Sequence, residues 1–146
     1  MSIPELLFYL MHLPAGAGWA LLILAPGAAL TARWVHSGAL ILLLCATYLA
    51  LLFCGVVLGM AAPGAGMSSL PAVGALFSHP VGLLTGWAHF LAFGLFAGAW
   101  IARDARAQGV SHTSTLPALI LTLVFGPLGL ALHLLRRGLS GRGWAM

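Results

Sequence analysis

Four apolar stretches, each about as long as a lipid crossing, constrain this chain more than any motif in it. They cover residues 6–26, 39–62, 80–101 and 116–135. A transmembrane helix needs roughly 20 mainly apolar residues. These runs are continuous and rich in Leu and Ala, which predicts helices and not the short alternating segments of a β-barrel. Charge is too sparse for a water-facing surface: six Arg, two acids and no Lys among 146 residues. A soluble domain gives about a quarter of its residues to charge. The same scarcity excludes a disordered chain. The expected fold is all-α, a single domain over 1–146 with four transmembrane helices in a small bundle.

The first stretch differs from a signal peptide, which opens on a basic segment and has an apolar core of ~7–15 residues. Here the start carries Glu5 and no basic residue, so a retained helix is expected. No Arg- and Ser-rich transit segment precedes it, and a bacterial inner membrane is the simpler location. The link 27–38 is polar, with Arg33, Trp34 and His36. The link 63–79 is longer, uncharged and rich in Gly, Pro and Ser, and is the loop suited to cover a pocket. Sidedness follows the excess of Arg and Lys on the cytoplasmic side. Four crossings place Arg136, Arg137 and Arg142 opposite Arg33, Arg103 and Arg106, a tie. The pI near 10.1 then reports Arg at lipid headgroups. Nucleic acid is not expected, because no basic stripe with interleaved aromatics is present. Cys45 and Cys54 lie nine positions apart in one stretch, on opposite helix faces, and read as small packing residues.

Lipid tails are as apolar as Leu, so close approach at small residues must join the helices. Gly55 and Gly59, Gly82 and Gly86, and Gly94 and Gly98 supply such stripes, which would also permit a homodimer. Gly126 and Pro127 fall inside the fourth stretch, and a kink is expected there. Pro14 predicts a similar disturbance in the first.

Ionisable residues at membrane depth are default functional candidates. At 1.5 Å per residue, His12 lies roughly 9 Å and His89 roughly 13 Å from the N-terminal face. An unbroken fourth crossing puts His133 only ~3 Å in. Three helices would thus bring imidazoles to one half of the bilayer, either as packing residues or as one polar pocket. His89, Phe93, Phe96 and Trp100 fall on one helical face, which suits a conjugated or isoprenoid ligand or plain core packing. Trp87 and Trp19 have the same two readings. Arg103, Asp104 and Arg106 read as an interfacial anchor, or as a polar gate or headgroup contact. Matched depth would also let His12 and His89 hold haem, a minor alternative, although no C-x-x-C-H is present. No P-loop, nucleophile elbow, zinc motif or paired-carboxylate site appears, so no metal or cofactor is expected. Acid–base work would fall on His, or on Tyr48 as a phenol donor.

The segment Gly86-Trp87-Ala88-His89-Phe90-Leu91-Ala92-Phe93-Gly94-Leu95-Phe96, continuing into Trp100-Ile101-Ala102-Arg103-Asp104, resembles the signature of the abscisic acid-deficient-4-like family. Ala25-Pro26 followed by Thr31, Tyr48, and Phe125-Gly126-Pro127-Leu128-Gly129 through His133 are similar to further parts of it. The resemblance runs from about Leu6 to Leu139. It implies a membrane protein related to those required for neoxanthin synthesis from violaxanthin. The reaction it implies is a cofactor-free isomerisation, in which a carotenoid epoxide opens while a neighbouring carbon loses a proton. It implies His89, Tyr48 and His133 as catalytic candidates, with His89, by its depth and motif, the expected acid–base residue. Asp104 and Pro127 match it too, and His12, Phe93, Phe96, Trp87, Trp100 and Arg103, singled out by depth, helical face and interface position, complete the candidates around a carotenoid or isoprenoid ligand. One place departs: the family pattern has an acid before Leu-Phe, and this chain has Gly94 there. That favours the alternative of a non-enzymatic carotenoid- or lipid-binding accessory protein.

Overall fold

A computed structural model describes residues 1–140, so Arg142 of the tail lies outside the described residues. Every element among them is helical, with no strand. Helix α1 is Ile3–Leu24, and α2 is Ala29–Thr31, continued by a π-helical turn Ala32–His36. Then follow α3 (Ala39–Val56), α4 (Leu70–Ser78), α5 (Pro80–Ala107), α6 (His112–Phe125) and α7 (Pro127–Leu139). Three stretches are long and apolar enough to cross a membrane: Ile3–Leu24, Ala29–Val56 and Pro80–Ala107. In α3 the buried residues are Leu44 and Leu51, a narrow stripe seven residues apart. Its other face exposes Leu42, Leu49 and Phe53, apolar surface of the extent that marks a membrane contact.

The termini of these helices follow from local chemistry. Ser2 and Glu5 form a capping box at the start of α1: the Ser2 amide donates to Glu5 Oε2 at 2.6 Å, and the Glu5 amide to Ser2 Oγ at 3.4 Å. Helix α1 then runs through Pro14 without ending. Helix α3 stops at Val56, six residues before the expected end, and Gly59 with φ +67° turns the chain. The link 63–79 is not all loop, because Ser69 caps α4 by accepting from the Ala72 amide at 3.3 Å. Helix α5 begins at Pro80 as expected but continues to Ala107, so Arg103, Asp104 and Arg106 are helical.

The chain divides into two compact units. One comprises Met1–Gly16 and Leu40–Ala92, with Met11, Ala15, Leu44, Leu84 and Ala88 buried in it. Here α4 covers the start of α5: a Cβ at Gly82 would meet the Leu76 carbonyl, and one at Gly86 the Phe77 ring. The other comprises Ala17–Ala39 and the chain from Phe93 onward, with Leu22, Thr31, Val35, Leu95, Ile101 and Leu119 fully buried. There the Trp19 ring lies over Gly98. The small-residue stripe of α5 is therefore covered at Gly82, Gly86 and Gly98 by the chain itself, whereas a Cβ at Gly94 would meet nothing within 4 Å.

The fourth apolar stretch departs most from expectation. It is two helices of 14 and 13 residues that fold back on each other. Arg136 of α7 donates to the Ser114 carbonyl at the start of α6. In an unbroken helix those residues would be about 33 Å apart. Gly126 makes the reversal at φ +52°, ψ −91°, a conformation that L side chains rarely adopt. Pro127 opens α7, where its missing N–H costs nothing. Gly129 then lets the two helices touch, since a Cβ there would run into the Thr122 amide nitrogen and the Ala118 carbonyl. The expected kinked crossing is thus a tight hairpin. Its ~21 Å arms are shorter than a ~30 Å hydrocarbon core. The depth assigned to His133 from an unbroken crossing does not hold.

Candidate functional site

The reversal at Gly126 carries His133 and Arg137 back to the C-terminal end of α5. Spaced by four, they share one face of α7. His133 Nε2 donates to one carboxylate oxygen of Asp104 at 2.7 Å, and Arg137 donates to the other at 2.7 Å. The Gln108 amide also donates to the oxygen that His133 holds. The His133 and Asp104 side chains are 8% and 14% exposed, so this hydrogen-bonded pair is largely desolvated. A desolvated carboxylate with two basic partners is strongly held, because removing either leaves charge uncompensated. The Trp100 ring meets the His133 imidazole edge-on, with centroids 5.4 Å apart at 89°. A cavity of about 20 Å³, room for one water, is lined by Gln108, His133 and Arg137. With Nε2 turned to Asp104, Nδ1 is the nitrogen left to take a proton.

Phe93 and Phe96 lie two turns and one turn before Trp100 on the same side of α5, and they are 60% and 50% exposed. An exposed aromatic track therefore leads along the helix to the buried Asp104–His133 pair. The other unit holds the remaining candidates. Trp87 Nε1 donates to His12 Nε2 at 3.1 Å, and His12 Nδ1 bonds the Phe8 carbonyl at 2.6 Å. Both His12 nitrogens are thus engaged, so haem ligation by His12 would have to break a bond. Phe8 and Phe90 pack against Trp87 beside it. His89 is exposed and lies near Tyr48, ring centroids 5.9 Å apart. His12 and His89 thus sit in one unit, and His133 in the other with its own partners.

Pro127 contributes by opening α7 and not by freeing carbonyls into a cavity. Arg103 turns from Asp104 and donates to the His36 carbonyl at 3.4 Å. Three members of this unit were invisible as site residues in the sequence: Arg137, Gln108 and His112, whose Nε2 donates to the Ile23 carbonyl at 2.9 Å. The i, i+4 spacing of His133 and Arg137 was a readable sign that both could reach one carboxylate.

Long apolar helices and a desolvated His–Asp–Arg cluster define a helical membrane protein with polar chemistry held at one end of its longest helix. The chain belongs to the ABA DEFICIENT 4-like (ABA4-like) family, whose sequence model matches residues 6–133. That match includes the Trp87–Asp104 segment, the hairpin turn and His133. Comparisons with curated proteins and with solved structures gave no match.

Proposed function

We propose that this protein binds a long polyene or isoprenoid lipid along Phe93, Phe96 and Trp100 and isomerises an epoxide on it by acid–base chemistry at His133. The observation that carries this reading is the Asp104–His133–Arg137 cluster. His133 Nδ1 takes the carbon-bound proton as the epoxide C–O bond opens. The imidazolium then returns that proton to the oxygen, so atoms balance with no redox partner. Asp104 holds the ring orientation and stabilises the imidazolium; Arg137 fixes the carboxylate in place through its other oxygen. A dry site strengthens each of these interactions.

The membrane placement that fits is three crossings plus a hairpin that enters and leaves on one side. The five described Arg then share that side. Arg103, Arg136 and Arg137 are tied there by hydrogen bonds to His36, Ser114 and Asp104, and Arg33 and Arg106 flank them in the chain. The excess of Arg turns this side to the cytoplasm, in a bacterial inner membrane.

The test is incubation of detergent-purified protein with an epoxy-carotenoid, followed by product analysis. His133→Ala and Asp104→Asn should each lose turnover by about 100-fold or more, the usual worth of a general acid–base. Undiminished turnover in His133→Ala with loss in His89→Ala would move the chemistry to the Tyr48–His89 pair. The second reading, a non-enzymatic carotenoid-binding accessory protein, is favoured by Gly94 in place of the family acid. It predicts a coloured protein that returns its ligand unchanged.

A further inference from the structure

A second cavity lies in the unit that holds Asp104, and the proposed isomerisation makes no use of it. Its volume is about 490 Å³. Its polar lining is Arg103, Arg106, His36 and His112 together with Thr115, and no carboxylate lines it. The acid nearest in sequence, Asp104, is fully taken by His133, Arg137 and Gln108. Two guanidinium groups one helical turn apart therefore face this space without a balancing charge. The Arg106 side chain makes no hydrogen bond or ion pair among the described residues. His36 adds a second unsatisfied group, since its Nδ1 is buried without a hydrogen-bond partner. The rest of the wall is apolar, from Pro26, Ala102, Ala105 and Val110.

We propose that this cavity binds the phosphate of an anionic amphiphile, with Arg103 and Arg106 on the phosphate oxygens and the apolar wall against the adjoining glycerol or alkyl carbons. Guanidinium forks match phosphate geometry. Basic pockets beside membrane helices on the cytoplasmic side are suited to lipid headgroups. Two guanidinium groups beside an apolar wall also fit an ester better than a small inorganic ion. The phosphate comes either from a bilayer phospholipid or from a soluble phosphate ester, and the volume admits both.

The experiment uses the full chain, purified and delipidated in neutral detergent, with unfolding followed by tryptophan fluorescence. The probes are phosphatidylglycerol, a diacylglycerol of the same chains, and glycerol phosphate. Phosphatidylglycerol should raise the midpoint by several degrees, and diacylglycerol should not. If glycerol phosphate reproduces the shift, the source is a soluble ester; if only the lipid does, it is the bilayer. Arg106→Gln should remove at least half of the shift while leaving the lipid-free midpoint unchanged, because Arg106 holds nothing in the fold. Arg106→Lys should restore most of it. Equal shifts from diacylglycerol and phosphatidylglycerol, or a full shift in Arg103→Gln/Arg106→Gln, would overturn the proposal. A double variant that does not fold leaves the decision to Arg106→Gln and Arg106→Lys, which retain Arg103.

Discussion

Two apolar runs of this chain each contain a proline, and the chain does opposite things at them. At Pro14, α1 continues to Leu24. At Gly126–Pro127 the chain reverses within one residue and packs back on itself. The difference lies in the glycines. Gly126 supplies a backbone conformation closed to other residues, and Gly129 removes the side chain that would separate the arms. Pro14 stands between Leu13 and Ala15, has no residue at positive φ beside it, and lies in a helix that lipid and neighbouring helices can support. A proline in a membrane helix is therefore weak evidence of a break until its neighbours are read.

The sharpest way to break this contrast is Gly129→Leu. It should drive the arms apart and cost roughly 3 kcal/mol or more. With Cys45 and Cys54 replaced, a short bifunctional linker should join cysteines at 114 and 136 in the parent and fail to do so in that variant. Asp104→Asn comes next. It removes the charge that holds both His133 and Arg137 and should cost about 3 kcal/mol in detergent unfolding. A double-mutant cycle with His133→Ala should return a coupling of about 1–3 kcal/mol; additivity would mean the two side chains do not act together. Gly126→Ala should cost about 1–3 kcal/mol through backbone strain alone. Pro14→Ala should move stability by less than about 1 kcal/mol, because α1 is already continuous there. Gly94→Ala should be the smallest change, a gain of about 0.5 kcal/mol from helix propensity. Its Cβ meets open space, so a loss of stability would contradict the packing described.

The long helices α1, α3 and α5 were legible because apolar runs of that length admit little else. The hairpin was not, because hydropathy is blind to direction: a helix that crosses and one that returns have the same composition. Phe125 to Gly129 held the information, but it lay in the identity of two glycines and not in any apolar pattern. The site suffered the same fate. Asp104 read as a surface anchor because its partners stand 29 and 33 residues away and meet it only after the reversal. Helix α4 was hidden by the Gly and Pro around it, although Ser69 followed by Pro71 was a readable start.

The hairpin also orders assembly. Arms of 14 and 13 residues are too short to anchor themselves as they leave the ribosome. Their dock, Asp104, is synthesised first, and its two partners on α7 follow only when residues 133 and 137 emerge. The last part of the chain is thus templated by the part before it, and a product ending near Phe125 would lack both side chains, His133 and Arg137, that hold Asp104 in the folded protein.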